Sequence, residues 1–208
     1  MPSIYDLKPR FQGLLRPLAQ RLAATGVTAN QVTLAAAALS CATGALIALF
    51  PRVSALLLIL PLVLFARMAL NAIDGMLARE HGQKSRLGAI LNELGDVVSD
   101  AALYLPLALI PALSAAAVVA LVVLGIIVEM TGVVAVQIGA SRRYDGPLGK
   151  SDRAFLFGLV AVLLALNLTP ASWINALLWL GVALSALTIV NRARAALREA
   201  EEKEKTAS

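Results

Sequence analysis

Six stretches of about 20 mostly apolar residues, near 31–50, 53–78, 88–110, 113–140, 154–169 and 173–191, take up well over half of this 208-residue chain. Each is long enough to cross the hydrocarbon core of a bilayer as a helix. The chain is 59% hydrophobic and only 15% charged, with mean hydropathy +0.80, far from the composition of a soluble domain. The expected fold is therefore all-α, a polytopic membrane protein with six transmembrane helices. Residues 4–24 place Lys8, Arg10, Arg16 and Arg21 among apolar residues at helical spacing, the pattern of an amphipathic helix lying in the membrane interface. No short apolar core followed by a small-residue cleavage site opens the sequence, so a removable signal is not expected. The single cysteine, Cys41, falls inside an apolar stretch and has no second cysteine to pair with.

Orientation follows from the basic residues, which stay on the cytoplasmic side. Sixteen of the 18 Lys and Arg residues lie in the N-terminal segment, the 79–87 loop, the 141–153 loop and the C-terminal tail. The opposite connections hold only Arg52, and Arg67 lies within the second span. Both termini are predicted to be cytoplasmic. The net charge of +5 reflects this asymmetry and attraction to anionic lipid, and gives no reason to expect a nucleic-acid partner. The organisation reads as an amphipathic segment over 1–27, a six-helix membrane domain over 28–195 and a charged cytoplasmic tail over 196–208. Trp173 reads as an interfacial anchor, Trp179 as packing and His81 as a solvated loop residue.

Ionisable residues inside a bilayer are costly and mark function. Here they cluster. Arg67, Asn71, Asp74 and Ala78 follow one another at steps of four, three and four, one stripe of a helix, and Gly88, Asn92, Asp96 and Asp100 do the same at steps of four. A short cytoplasmic loop joins the two spans, so both stripes sit at the same end. Oxygen ligands from two antiparallel helices suit a hard divalent cation. Hydrogen-bonded packing between helices is the plainer alternative. Two Asn and two Asp at matched depth, interleaved with Gly and Ala, favour a site.

The segment from Asn71 to Asp96 resembles the signature of the CDP-alcohol phosphatidyltransferase family, D-x2-D-G-x2-A-R-x8-G-x3-D-x3-D. Asp74, Gly75, Ala78, Arg79, Gly88 and Asp96 match in identity, while Asn71 and Asn92 stand where the pattern has its first and third aspartates. Residues 28–33, TANQVT, are similar to the family's T-P-N-x-x-T entry to the first span, with Ala29 for Pro.

The resemblance implies transfer of a phosphatidyl-type group from a CDP-lipid, CDP-diacylglycerol, to an alcohol acceptor with release of CMP. It also implies a Mg²⁺ or Mn²⁺ cofactor, a homodimer and residence in the cell's inner (cytoplasmic) membrane with a cytoplasmic active site. Carried over by position, Asp96 is the general base. Asp74, Asp96, Asn71 and Asn92 are the metal ligands, and Gly75, Ala78, Arg79, Gly88 and Asn30 line the nucleotide pocket. Two carboxylates balance one divalent ion, where the family's four balance two. The alternatives are transfer of a CDP-alcohol headgroup to a lipid hydroxyl, and a non-catalytic lipid-binding member.

In the 141–153 loop, Lys150, Arg142 and Arg153 are candidates for holding a phosphate or the acceptor. Ordinary cytoplasmic positive charge explains the same residues equally well. Finally, Arg67, Asp100 and Glu129 count to one layer about 16–18 Å from the cytoplasmic helix ends at 1.5 Å per residue. Arg67 is expected to pair there with Asp100, Glu129 or both, fixing the register of spans two, three and four.

Overall fold

The structure is a computed structural model that describes residues 4–207, with side chains described from Arg10 to Thr206. Residues 1–3 of the expected 1–27 segment, the side chain of Lys8 and Ser208 lie outside the described residues. Among those described there are seven α-helices: α1 (Ile4–Ala24), α2 (Ala29–Leu49), α3 (Ile59–Glu80), α4 (Arg86–Tyr104), α5 (Ala115–Val134), α6 (Lys150–Ala165) and α7 (Ala171–Ala207). Short 3-10 turns precede α3 (Ser54–Leu58) and follow α4 (Leu105–Leu109) and α5 (Ala135–Ile138). Ala29–Leu49, Ser54–Glu80, Ala115–Ile138 and Ala171–Thr206 are long and apolar enough to cross a membrane, which makes this an all-α polytopic membrane protein. Of the two other expected spans, α4 carries Arg86, Glu93, Asp96 and Asp100 and α6 is only 16 residues long. The α-helical geometry of α4 gives way at Tyr104 because Pro106 cannot supply a backbone N–H. Residues of the charged tail extend the last helix: α7 runs unbroken to Ala207.

The chain forms two compact units. The first comprises residues up to Ala45 and Leu62–Leu103. In it, Leu15, Ala19, Leu22 and Ala23 of α1 pack with Ala29 and Val32 of α2 and with Ile73, Met76 and Leu77 of α3. Leu14 and Leu18 on the same helix stay exposed, so α1 divides its apolar residues between protein and surroundings. Arg16 Nε and Nη2 each donate to a carboxylate oxygen of Glu80 at 3.1 Å, tying α1 to the end of α3. Gly44 lets α2 approach α4 closely: a Cβ there would fall on the Ala102 carbonyl. On α4, Leu87, Ile90, Leu94 and Val98 form an exposed apolar stripe.

The second unit comprises Leu46–Pro61 and the described residues from Tyr104 onward. Its core is α5 against α7, and the 3-10 turn at Ser54–Leu58 packs on α6. The Tyr104 and Phe157 rings stack with centroids 4.1 Å apart. Ser114 caps α5 by accepting from the Ala117 N–H, while its own N–H donates to Asn175 Oδ1 at 2.7 Å. Asn175 Nδ2 returns a bond to the Ala112 carbonyl, which fixes the short connection to the start of α7. Trp173 is exposed at that end, and Trp179, expected as packing, is half-exposed as well.

Candidate active site

The first unit brings the two polar stripes together. Asn71 Nδ2 donates to Asp96 Oδ1 at 3.2 Å, joining the first and last positions of the signature across α3 and α4. Asp74 is buried, and its Oδ2 accepts from the Thr33 hydroxyl at 2.8 Å. Asn92 lies one turn before Asp96 on the same stripe of α4. Gly75 leaves room for Arg79 to fold back along α3: a Cβ there would stand 2.8 Å from Arg79 Nη2. Ala78 is half-buried beside the α1–α3 cluster.

The start of α2 is stitched to this site. Gln83 Oε1 accepts from the Ala29 N–H at 2.7 Å, and Gln83 Nε2 donates to the Val27 carbonyl at 3.3 Å. Asn30 then lies over Gly88, where a Cβ would come within 2.8 Å of Asn30 Oδ1. Thr28 and Gln31 cap the helix reciprocally: Gln31 Oε1 accepts from the Thr28 N–H, and the Thr28 hydroxyl accepts from the Gln31 N–H.

Farther along the same helices, away from the loop that joins them, Arg67 Nη1 donates to Asp100 Oδ1 at 2.9 Å, with side-chain exposures of 5% and 13%. At such burial the pair is screened little by water. Arg67 Nε and Nη2 are buried and make no hydrogen bond among the described residues.

Two carboxylates and two amide oxygens are a donor set for one hard divalent cation. Among the described residues no three Asp, Glu, His or Cys side chains gather at a point, consistent with amides at positions 71 and 92. A second ion would have to find its counter-charge outside the protein.

The expected grouping of Glu129 with Arg67 needs correcting. Glu129 belongs to the second unit and is held there: Arg153 Nη2 donates to its Oε1 at 3.0 Å, Arg192 Nη1 lies 3.5 Å from Oε2 and Arg142 Nη2 lies 3.6 Å from Oε2. α5 runs on through the 3-10 turn to Ile138, two residues short of Ala140, so what the count could not show is the partner: arginines from the loop, α6 and α7 hold Glu129. The loop then folds back, with the Arg143 N–H donating to the Gly132 carbonyl at 3.1 Å, and so delivers Arg142 to Glu129. Arg153, read as a phosphate ligand, is 2% exposed and already engaged by Glu129. Lys150 opens α6.

Beside this cluster, Arg143 bridges two carboxylates. Its Nε and Nη2 donate to Asp145 at 2.8 and 2.9 Å, and its Nη1 donates to Glu199 at 2.6 Å. The Arg143 guanidinium holds the Asp145 carboxyl below its ordinary value. Glu199 also meets Lys203 at 2.9 Å and accepts from the Ser141 hydroxyl and N–H, and these bonds, with Lys203 foremost, lower its pKa to about 2. Sequence reasoning missed Arg192, which looked like tail charge, and Thr33, whose only signal was its place in TANQVT.

The fold and the signature stripes define a class: the chain belongs to the CDP-alcohol phosphatidyltransferase family, whose profile matches residues 26–187. It is 49% identical over 195 residues to the inner membrane protein YnbA of Escherichia coli K12, covering 94% of this chain and 96% of YnbA. Two solved structures of Mycobacterium tuberculosis phosphatidylinositol phosphate synthase, PgsA1, share the fold at 23% identity and a TM-score of 0.74. The one in complex with manganese and citrate is matched over 88% of each chain. The one with CDP-DAG bound is matched over 89% of this chain and 92% of PgsA1.

Proposed function

We propose that this protein is an active, metal-dependent transferase of phospholipid synthesis that moves a phosphatidyl-type group from CDP-diacylglycerol to an alcohol and releases CMP. The observation that carries this reading is the joining of Asn71 to Asp96 across α3 and α4, beside an Asp74 tied to Thr33, in a chain of this family. PgsA1, with the same fold, is known with manganese and with CDP-DAG bound, which supports the substrate and metal classes.

Asp74 and Asp96, helped by the amide oxygens of Asn71 and Asn92, would hold one Mg²⁺ or Mn²⁺, which neutralises charge on the CDP pyrophosphate. Asn30, Gly75, Ala78, Arg79 and Gly88 form the nucleotide pocket. Gly75 and Gly88 lack side chains where Arg79 and Asn30 must lie close to the helix backbone. The acceptor hydroxyl oxygen bonds to the lipid-side phosphorus, the bond from that phosphorus to the CMP oxygen breaks, and Asp96 takes the hydroxyl proton. Asn71 orients Asp96 by donating to Oδ1. The Arg67–Asp100 pair fixes the register of α3 against α4 beyond this site.

The chain crosses the membrane six times, α4 and α6 included, with both termini and the site cytoplasmic, in the inner membrane as YnbA's name indicates for YnbA. It acts as a homodimer. A mass-spectrometric screen of lipid products from CDP-diacylglycerol and a panel of alcohols, with Mn²⁺, tests the reading. A new phosphatidyl-alcohol is expected, and CDP-diacylglycerol turnover with no such product rejects it.

A further inference from the structure

One side chain fastens the loop between α3 and α4 to the start of α2. Gln83 Oε1 accepts from the Ala29 N–H and Gln83 Nε2 donates to the Val27 carbonyl, so a single amide grips the backbone on both sides of Thr28. We propose that Gln83 is a positioning residue for the nucleotide: its grip sets Asn30 over Gly88 and Thr33 on Asp74. The inference rests on the transferase reading above, which puts these residues at the nucleotide and the metal.

Both sides of the grip are held in place by turns. Gly26 has φ +82, and the Gly26 and Val27 N–H groups donate to the Ala23 and Leu22 carbonyls at 3.0 Å each, a left-handed turn that ends α1. The Val27 side chain packs on the cluster shared by α1, α2 and α3, which fixes the carbonyl that Gln83 meets. On the other side, Gly82 follows the end of α3 with φ +69, a conformation that glycine adopts without strain, and the chain turns there into Gln83. The Ser85 hydroxyl accepts from the Gly88 N–H at 2.9 Å, so α4 is capped from the same loop.

The donor at Ala29 depends on this chain's version of the entry motif. The first N–H groups of a helix have no partner within it. A proline at the first helical position has no such N–H, so the T-P-N form of the motif offers Gln83 nothing to accept from. Here alanine stands at that position, and its N–H goes to Gln83. Ala29 and Gln83 therefore act as one device. A side-chain amide suits it because it accepts at one atom and donates at the other.

From this device the contacts run into the site. The Thr33 hydroxyl stands 3.1 Å from the Ala29 carbonyl and donates to Asp74 Oδ2 at 2.8 Å. Asn30 follows Ala29 directly, and its Oδ1 lies so close to Gly88 that a Cβ there would be 2.8 Å away. Releasing the grip frees the start of α2 and with it both contacts.

The test uses the full chain in detergent with Mn²⁺ and titrates CDP by calorimetry, beside thermal unfolding. Gln83→Leu removes both bonds, and Ala29→Pro removes only the donor, at a position where proline otherwise suits a helix start. Each is expected to weaken CDP binding by about fivefold, the size of a neutral hydrogen bond. The double variant should bind no more weakly than Gln83→Leu, because the two substitutions break the same interaction. In turnover, KM for CDP-diacylglycerol should rise by the same factor while kcat changes less. A folded Gln83→Leu protein that binds CDP as wild type does overturns the inference, even if it unfolds at a lower temperature. So do losses that multiply to about 25-fold in the double variant. If Ala29→Pro does not fold, exchange of the Ala29 amide replaces it: protection should fall in Gln83→Leu, and unchanged protection overturns the inference. No CDP binding by wild type overturns the transferase reading and the nucleotide role of Gln83 with it, whereas wild-type binding that Gln83→Leu leaves intact overturns the inference alone.

Discussion

The two units each bury a cluster of charged and polar residues, and the clusters are built on opposite principles. In the first, Asn71, Asp74 and Asp96 stand at helical intervals on two sequential helices, with neutral amides beside the carboxylates and glycines where a ligand's neighbours must fit. In the second, a carboxylate from α5 is enclosed by guanidinium groups from a loop, α6 and α7. The first is short of positive charge and suits a cation with a pyrophosphate. The second carries its own anion. The difference teaches that a count of basic residues does not identify an anion site until the carboxylates folded against them are counted too.

The largest effect expected from breaking this contrast lies in the first cluster. Asp74→Asn should weaken Mn²⁺ binding, followed by electron paramagnetic resonance, by about a hundredfold, because it leaves one carboxylate at a low-dielectric site for a divalent ion. Asn71→Asp combined with Asn92→Asp should act in the opposite direction and tighten it. Unchanged Mn²⁺ affinity in Asp74→Asn would place the metal elsewhere.

Next is the Arg67–Asp100 pair. Arg67→Ala should cost about 3–5 kcal/mol of stability by leaving Asp100 buried without its partner, read as loss of folded protein in a detergent unfolding series. CDP affinity should change much less. A larger loss of CDP affinity than of stability would show that Arg67 reaches the nucleotide.

A smaller effect is expected at Thr33. Thr33→Val keeps the shape but removes the hydroxyl that Asp74 accepts from, and the lower end of the about 1.5–3 kcal/mol that a hydrogen bond to a charged group contributes corresponds to a fall in Mn²⁺ affinity of about tenfold. No change would make Thr33 a packing residue.

These residues also show what the sequence could reveal. The stripes on α3 and α4 were legible because an antiparallel helix pair converts spacing directly into position, and for the same reason Arg67 and Asp100 could be matched by counting. Glu129 could not. Its helix continues as a 3-10 turn to Ile138, close to the expected end, but nothing in the sequence signals that residues 139–143 fold back so that the Arg143 N–H meets the Gly132 carbonyl. Arg192 was hidden by its place at the end of an apolar stretch, where a basic residue ordinarily meets the interface. Local periodicity was readable, whereas loop return and three-helix convergence are tertiary.

The smallest effect concerns the junction of the second cluster with α7. Glu199 is held well below its ordinary value of 4.5, at about 2, by Lys203, Ser141 and Arg143. A depressed carboxyl contributes its tethering fully above its unfolded value and loses it as pH falls from about 4.5 toward 2. Amide-exchange protection near Glu199, taken relative to the intrinsic exchange rate at each pH, should therefore be steady at neutral pH and fall only across that acid window, and Glu199→Gln should abolish the dependence. Loss of protection beginning near pH 6 would point to a different titrating group.

The central claim, that the first cluster performs phosphatidyl transfer, is tested most directly by CMP release from CDP-diacylglycerol with Mn²⁺ and an accepted alcohol, comparing wild type with Asp96→Asn. The account predicts release by wild type in step with lipid product and a loss of about 10²–10⁴-fold in Asp96→Asn, the range for removing a general base. Equal CMP release by the folded Asp96→Asn protein would contradict it.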